Sequence, residues 1–327
     1  MIATPRSDVD PFAASTRPRW HGTYRRRYTI LKTVTSRRAR LLRCEFVCSL
    51  RSDAPVRAAK QHHDPEAGPT FRIACLFHRH FDVLERTLPR SLAALTSGTS
   101  ESFEVILQCD GTSSEIAQKV LRAQADWGID EVRFRSRTRQ VASGDPSNNG
   151  HRRLFGGHSP YLIVIEDDVW MRRWDTGFDV LGACRRLFEA NPDVPVVCKL
   201  SDSDTWAWKL RDLGDEVEPG VRSVNRVATH FVAYDLVRFV PTALRFGAFD
   251  LDVFVDRDDL SYNWEDVVSH VGTTGGRRIA WPQSWPLGVY HCDRKVAPGS
   301  MYNTQDPQVK HGIIDELEAR FAAEAAL

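Results

Sequence analysis

Three consecutive acidic residues, Glu166-Asp167-Asp168, follow the apolar run Leu162-Ile163-Val164-Ile165. Like charges crowded at the end of a buried strand repel unless something neutralises them, and a divalent cation with hard oxygen ligands does this well. The alternative is an acidic loop in water. Two other apolar runs end on charge: His78-Arg79 follows Phe71 to Phe77, and Asp110 follows Phe103 to Cys109. Asp110-Gly111-Thr112-Ser113 taken alone is a turn. Later come the carboxylate pair of Trp264-Glu265-Asp266 and the segment Val289-Tyr290-His291-Cys292-Asp293, with Arg294 and Lys295 behind it. Those two cations suit a phosphate. Each group also has a plain structural use, since a helix dipole favours carboxylates in its first turn and a histidine in an apolar strand is commonly a core residue.

The elements that would position these groups alternate. Phe71 to Phe77 reads as a buried strand, and Phe81 to Leu95 as a helix with Val83, Leu84, Leu88, Leu92 and Leu95 on one face. Phe103 to Cys109 is a second strand, and Ser113-Ser114-Glu115 opens a helix to about Trp127. Val132 to Phe134, Tyr161 to Ile165 and Val194 to Leu200 are further strands, with a helix over Thr176 to Ala190. Beyond Arg222 the pattern loosens into short strands and a helix. Such alternation predicts an α/β fold with a mostly parallel sheet and helices on both faces. Ligands in such folds bind at the carboxyl ends of the strands, where the charged residues lie.

Composition narrows the classes. The chain has 327 residues, 42% of them apolar and 27% charged, with a net charge of +1. That is ordinary for a globular protein and excludes a collagen-like, coiled-coil or wholly disordered chain. No apolar run reaches the roughly 18–20 residues of a membrane helix, and the first residues lack the apolar segment of a secretory signal. Seven scattered cysteines without a CxxC pair point to buried thiols in a reducing, cytoplasmic setting. Residues 1–60 hold 14 Lys+Arg and 4 Asp+Glu, so the remainder is acidic. The basic stretch is expected to be a solvated extension, with peripheral membrane contact as its alternative role. Residues 1–70 are therefore set apart as extension and linker, and 71–327 as the domain. The absence of GxxxxGK[ST], GxGxxG and GxSxG argues against a P-loop nucleotidase, a Rossmann dehydrogenase and an α/β hydrolase.

The order of these pieces resembles the nucleotide-sugar glycosyltransferases of the GT-A fold over roughly residues 71–295. Val105 to Asp110 and Val164 to Val169 are similar to segments of the N-acetylglucosaminyltransferase I family, whose metal motif is Glu-Asp-Asp. Glu265-Asp266 and His291 look more like the large inverting family 2. The resemblance implies a donor-binding half over 71–200, an acceptor half over 201–300 and a tail helix over 301–327. It implies a Mn²⁺ or Mg²⁺ held by Asp168, the first ligand, and by His291, with Glu166 and Asp167 binding through water or holding the ribose. Asp110 would meet the base or ribose, and Arg79 the uracil or phosphate. Arg152 or Arg153, after Asn148-Asn149-Gly150-His151, would meet the diphosphate; of the two, Arg153 stands for that role. Asp266 would be the base that takes the acceptor hydroxyl's proton, with Glu265 beside it, while Asp256, Asp258 and Asp259 compete for that place. Trp206 and Trp208 would stack on an acceptor sugar.

The expected activity is therefore metal-dependent transfer from a UDP-sugar to an acceptor hydroxyl, with inversion, in the hexosyl or N-acetylhexosaminyl class. A retaining glycosyltransferase, a sugar nucleotidyltransferase and a non-catalytic binding protein on the same scaffold are the rivals. A nucleotidyltransferase carries a Gly-rich phosphate loop after its first strand, which His78-Arg79-His80 lacks. The intact acidic cluster argues against a degenerate binding protein, and the acidic globular part argues against nucleic acid. The acceptor, whether glycan, small molecule, lipid-linked or peptide, is not encoded in any recognisable motif. The Gly-rich acceptor signature of the N-acetylglucosaminyltransferase I family is missing around Thr229-His230-Phe231-Val232, and so is that family's amino-terminal anchor.

Overall fold

The computed structural model describes residues 68–110, 112–135, 154–155, 158–202, 213–245, 264–294 and 306–325. Its strands are β1 (Phe71–Phe77), β2 (Phe103–Asp110), β3 (Glu131–Arg135), β4 (Tyr161–Glu166), β5 (Val169–Arg173), β6 (Val196–Cys198), β7 (Leu213–Glu218), β8 (Val221–Val224), β9 (Phe231–Asp235), β10 (Ile279–Pro282) and β11 (Leu287–His291). The helices are α1 (Phe81–Thr96), α2 (Ser114–Ala123), α3 (Val180–Ala190), α4 (Leu236–Arg245), α5 (Trp264–Thr273) and α6 (Pro307–Ala325).

The central sheet has nine strands in the order β3-β2-β1-β4-β9-β6-β10-β8-β7. Successive pairings show that β3, β2, β1, β4, β6, β10 and β7 run one way, with β9 and β8 against them. Alternation along each strand builds two cores. Ala74, Leu76, Leu162 and Val164 face Phe239, Val240, Val268 and Val271 of α4 and α5. Phe71, Ile73, Cys75, Ile163 and Ile165 face Leu84, Leu88, Leu92, Leu181 and Phe188 of α1 and α3. The fold is therefore α/β, a largely parallel sheet flanked by helices on both faces.

Several boundaries move from the expected ones for local reasons. The third helix starts at Val180 because the Asp179 side chain caps it, accepting a hydrogen bond from Gly182 N at 2.9 Å. The second helix is likewise capped by Ser113, whose Oγ accepts from Ile116 N at 3.3 Å. Strand β5 has no counterpart in the expected elements. Its partner is β11, paired antiparallel with Val169 opposite His291 in a separate two-stranded sheet. Helix α6 covers that ribbon, with Ile313, Ile314, Leu317 and Phe321 packed on Val83, Trp170, Tyr290 and Cys292. Among the described residues no helix is long and apolar enough to cross a membrane.

Candidate functional site

The acidic tripeptide occupies a corner. Glu166 ends β4 in the central sheet, and Val169 begins β5 in the ribbon, so Asp167 and Asp168 turn the chain from one sheet to the other. Helix α1 grips this turn from behind. Thr87 Oγ1 donates to the Asp167 carbonyl at 2.7 Å, and Ser91 Oγ donates to the Val169 carbonyl at 2.7 Å while accepting from Met171 N at 3.0 Å. His78 N, just past β1, donates to Asp167 Oδ2 at 3.1 Å. Two buried hydroxyls inside a helix are costly unless bonded, and here each satisfies a main-chain group of the corner.

Histidine reaches the corner by two routes. Strand β9 lies antiparallel to β4 with Ile165 opposite Phe231, so His230 comes level with Glu166. His230 Nε2 is 3.9 Å from Glu166 Oε2. Strand β11 delivers His291, whose Nε2 is 3.4 Å from Asp168 Oδ2. The two imidazoles stack at 4.4 Å between centroids. Their placement is braced by Cys292 N, which donates to the Asp168 carbonyl at 2.8 Å, and by Ser201 Oγ, which accepts from His291 N at 3.0 Å.

Glu166, His230 and His291 thus each offer a ligand atom, all within 4.8 Å of one another. Two bonds of about 2.1 Å reach across a single ion at nearly that span. A carboxylate and two imidazoles, mostly buried, are a donor set that fits a divalent transition metal better than Mg²⁺, which prefers carboxylate, carbonyl and water oxygens. The residues present therefore fit a cation.

The three carboxylates are not equivalent. Burial, reinforced by the charge of Asp168, pushes Glu166 up to about 7, against the hydrogen bond it accepts from Thr229 Oγ1. Burial and Asp168 also push Asp167 up to about 6. Burial alone would raise Asp168 as well, but Lys310 and His291 outweigh it and hold this carboxyl well below the usual range. Lys310 comes from α6 and is 3% exposed. It pairs with Asp168, and its Nζ lies 3.3 Å from Asp293 Oδ2. These carboxylates in turn hold the ammonium well above its ordinary value, against the opposing effect of burial.

The remaining sequence candidates fall around this centre. Asp110 ends β2 with Gln108 Nε2 donating to its Oδ1 at 3.0 Å, and its carbonyl lies 2.6 Å from His78 Nδ1. Arg79 is exposed and donates through Nε to His78 Nε2 at 2.7 Å. Asp110, His78, Arg79 and Asp167 are therefore one connected group. Glu265, in the first turn of α5, is joined to the centre through Thr229: Thr229 N donates to Glu265 Oε1 at 3.4 Å, and Thr229 Oγ1 donates to Glu166. Arg226 Nη2 stands 3.7 Å from Glu265 Oε2. The Asp266 side chain, Arg152, Arg153, Trp206, Trp208, Asp256, Asp258, Asp259 and Lys295 lie outside the described residues.

Sequence spacing does not single out Thr229, His230 or Lys310. His230 becomes visible only once β9 is inserted against β4, and Lys310 lies 142 residues from Asp168. The one available signal for His230 was its position immediately before the apolar run Phe231-Val232-Ala233-Tyr234.

No family model matches the chain, and no curated protein matches it. Among solved structures it is similar to S. aureus TarS, at 12% identity and a TM-score of 0.44, over 68% of this chain and 36% of that one. It is also similar to the mannosyltransferase PcManGT from Pyrobaculum calidifontis in complex with GDP-Man and Mn²⁺, at 13% identity and 0.42, over 75% and 67% of the two chains. A third is GalNAc-T7 with UDP, GalNAc and Mn²⁺, at 13% identity and 0.39, over 69% and 44%. These three are GT-A glycosyltransferases. Likeness at this level concerns the path of the chain, and the chemistry rests on the side chains.

Proposed function

We propose that the chain is a divalent-cation-dependent glycosyltransferase, moving a sugar from a nucleotide-diphosphate donor to an acceptor hydroxyl. The observation that carries this is the convergence of Glu166, His230 and His291 at the carboxyl end of β4, beside the strand ends that bear Asp110 and Asp167. The sequence resemblance to GT-A enzymes supports it. Glu166, His230 and His291 hold the cation, and the imidazoles favour Mn²⁺ over Mg²⁺. When bound, the cation supplies positive charge opposite a diphosphate leaving group.

The chain's own residues do the rest. Asp110 binds the base or ribose of a uridine nucleotide, and Arg79 and Arg153 meet its uracil or phosphates. The acceptor oxygen attacks the anomeric carbon as the bond to the diphosphate breaks, with inversion, and the hydroxyl proton passes to Asp266. Glu265 orients the acceptor side, and its link through Thr229 to Glu166 ties the acceptor and donor halves together. The sugar is a hexose or N-acetylhexosamine. A cytoplasmic setting is supported by Cys75, Cys109, Cys184, Cys198 and Cys292, all free and buried. The basic residues before 60 are the segment suited to peripheral membrane contact.

The test is calorimetry with UDP, GDP, dTDP and CDP, with and without Mn²⁺, on the wild type and on Glu166→Gln. One nucleotide is expected to bind in a Mn²⁺-dependent manner and to lose that dependence in the variant. If no nucleotide binds, the proposal fails.

A further inference from the structure

Asp168 ends the acidic corner, yet the structure gives it a partner from the far end of the described chain. Lys310 Nζ meets Asp168 and lies 3.3 Å from Asp293, with Asp168 5%, Asp293 4% and Lys310 3% exposed. Two buried carboxylates around one ammonium form a fixed cluster, because removing any member would leave an uncompensated charge out of water. The same oxygen that meets Lys310, Asp168 Oδ2, lies 3.4 Å from His291 Nε2. A carboxylate at the outer nitrogen of a ligating imidazole sets which nitrogen carries the hydrogen and fixes the ring's angle.

We propose that Lys310 is a positioning residue of the cation centre: it clamps Asp168, and Asp168 aims the His291 ring at the site shared with Glu166 and His230. The inference rests on the metal-centre reading given above. The scaffold suits this task. Helix α6 is held by Arg86 on Asp315 at 2.6 Å and on Glu318 at 3.0 Å, by Arg172 on Glu324 at 2.6 Å and by His311 on Asp82 at 2.5 Å. Below these pairs, Phe321 packs on Trp170 and Tyr290 at 5.9 and 5.2 Å. A helix docked only for stability has no need of a buried lysine on its inner face, where another apolar residue would be simpler.

The experiment is titration of the full chain with Mn²⁺ alone, read by calorimetry and by the electron paramagnetic resonance of the free ion. Lys310→Met is expected to weaken Mn²⁺ binding by about 10–100-fold, the usual loss when the outer partner of a ligand is removed. Lys310→Arg, which keeps the charge, restores affinity to within about fivefold. Glu316→Gln, on the exposed face of the same helix, leaves it unchanged. Equal or tighter binding by Lys310→Met, or an equal loss in Glu316→Gln, overturns the proposal. If Lys310→Met does not fold, Lys310→Gln is read by the same criterion. A wild type that does not bind Mn²⁺, or a Glu166→Gln variant with unchanged affinity, instead breaks the metal-centre reading itself.

Discussion

The two ends of the central sheet are built on different plans. Strands β3-β2-β1-β4 are parallel neighbours, and β2, β1 and β4 each present candidate site residues at the carboxyl end. Past β4 the sheet is interleaved: β9 enters antiparallel, and the chain leaves for a ribbon before α6 returns to cover it. The first region supplies carboxylates by local geometry. The second supplies imidazoles and an ammonium by pairing over long distances in the chain. Among the described residues, the groups that offset the charge of Asp168 are Lys310 and His291, both from the second region.

That contrast can be broken or sharpened by measurement. The largest effect is expected from Glu166→Gln, which should weaken Mn²⁺ binding by more than about 100-fold, beyond the usual cost of an outer partner. His230→Ala should also weaken it, by at least about tenfold. An unchanged affinity in His230→Ala would confine the cation to the first region. Proton competition comes next. Glu166 is pushed to about 7, and a protonated carboxyl cannot ligate, so Mn²⁺ affinity should rise with pH up to about 7 and level off above it. Below that value it should fall by up to about tenfold per pH unit, and a titration flat between pH 5.5 and 8 would remove Glu166 from the ligands.

Smaller effects probe the scaffold. Thr87→Val leaves the Asp167 carbonyl without its bond from α1 and should cost about 1–3 kcal/mol in urea unfolding. Because it loosens the corner, it should also weaken Mn²⁺ binding slightly. Ser113→Ala removes only the cap of α2, costing about 1 kcal/mol. Its Mn²⁺ affinity should match wild type, and a loss there would mean that α2 couples to the centre.

The same contrast explains what could be read from the residues. Buried parallel strands announce themselves as continuous apolar runs, so Phe71–Phe77 and Tyr161–Glu166 were legible to within a residue, as was the charge at their ends. Strand β5 was not, because Val169-Trp170-Met171-Arg172-Arg173 carries no signal until β11 lies beside it. His291 was legible through the motif around it, whereas His230 depended on a register that no local pattern encodes. Lys310 sits in a helix whose other buried residues are apolar but whose sequence shows little periodicity, and a lysine near Ile313, Ile314 and Leu317 reads as surface until its partners are known.

Helix α6 is the last described element in chain order, and Lys310 is made 142 residues after Asp168. On a ribosome adding about 5–20 residues per second, that separation is roughly 7–30 s. During this interval the strands of the first region can pair, and His230 and His291 are made before Lys310, so Asp168 lacks its ammonium partner longest. The Asp168 carboxyl must stay hydrated or hold a proton until α6 docks. Synthesis thus has a built-in delay between forming the strand ends of the first region and supplying the ammonium that pairs with Asp168.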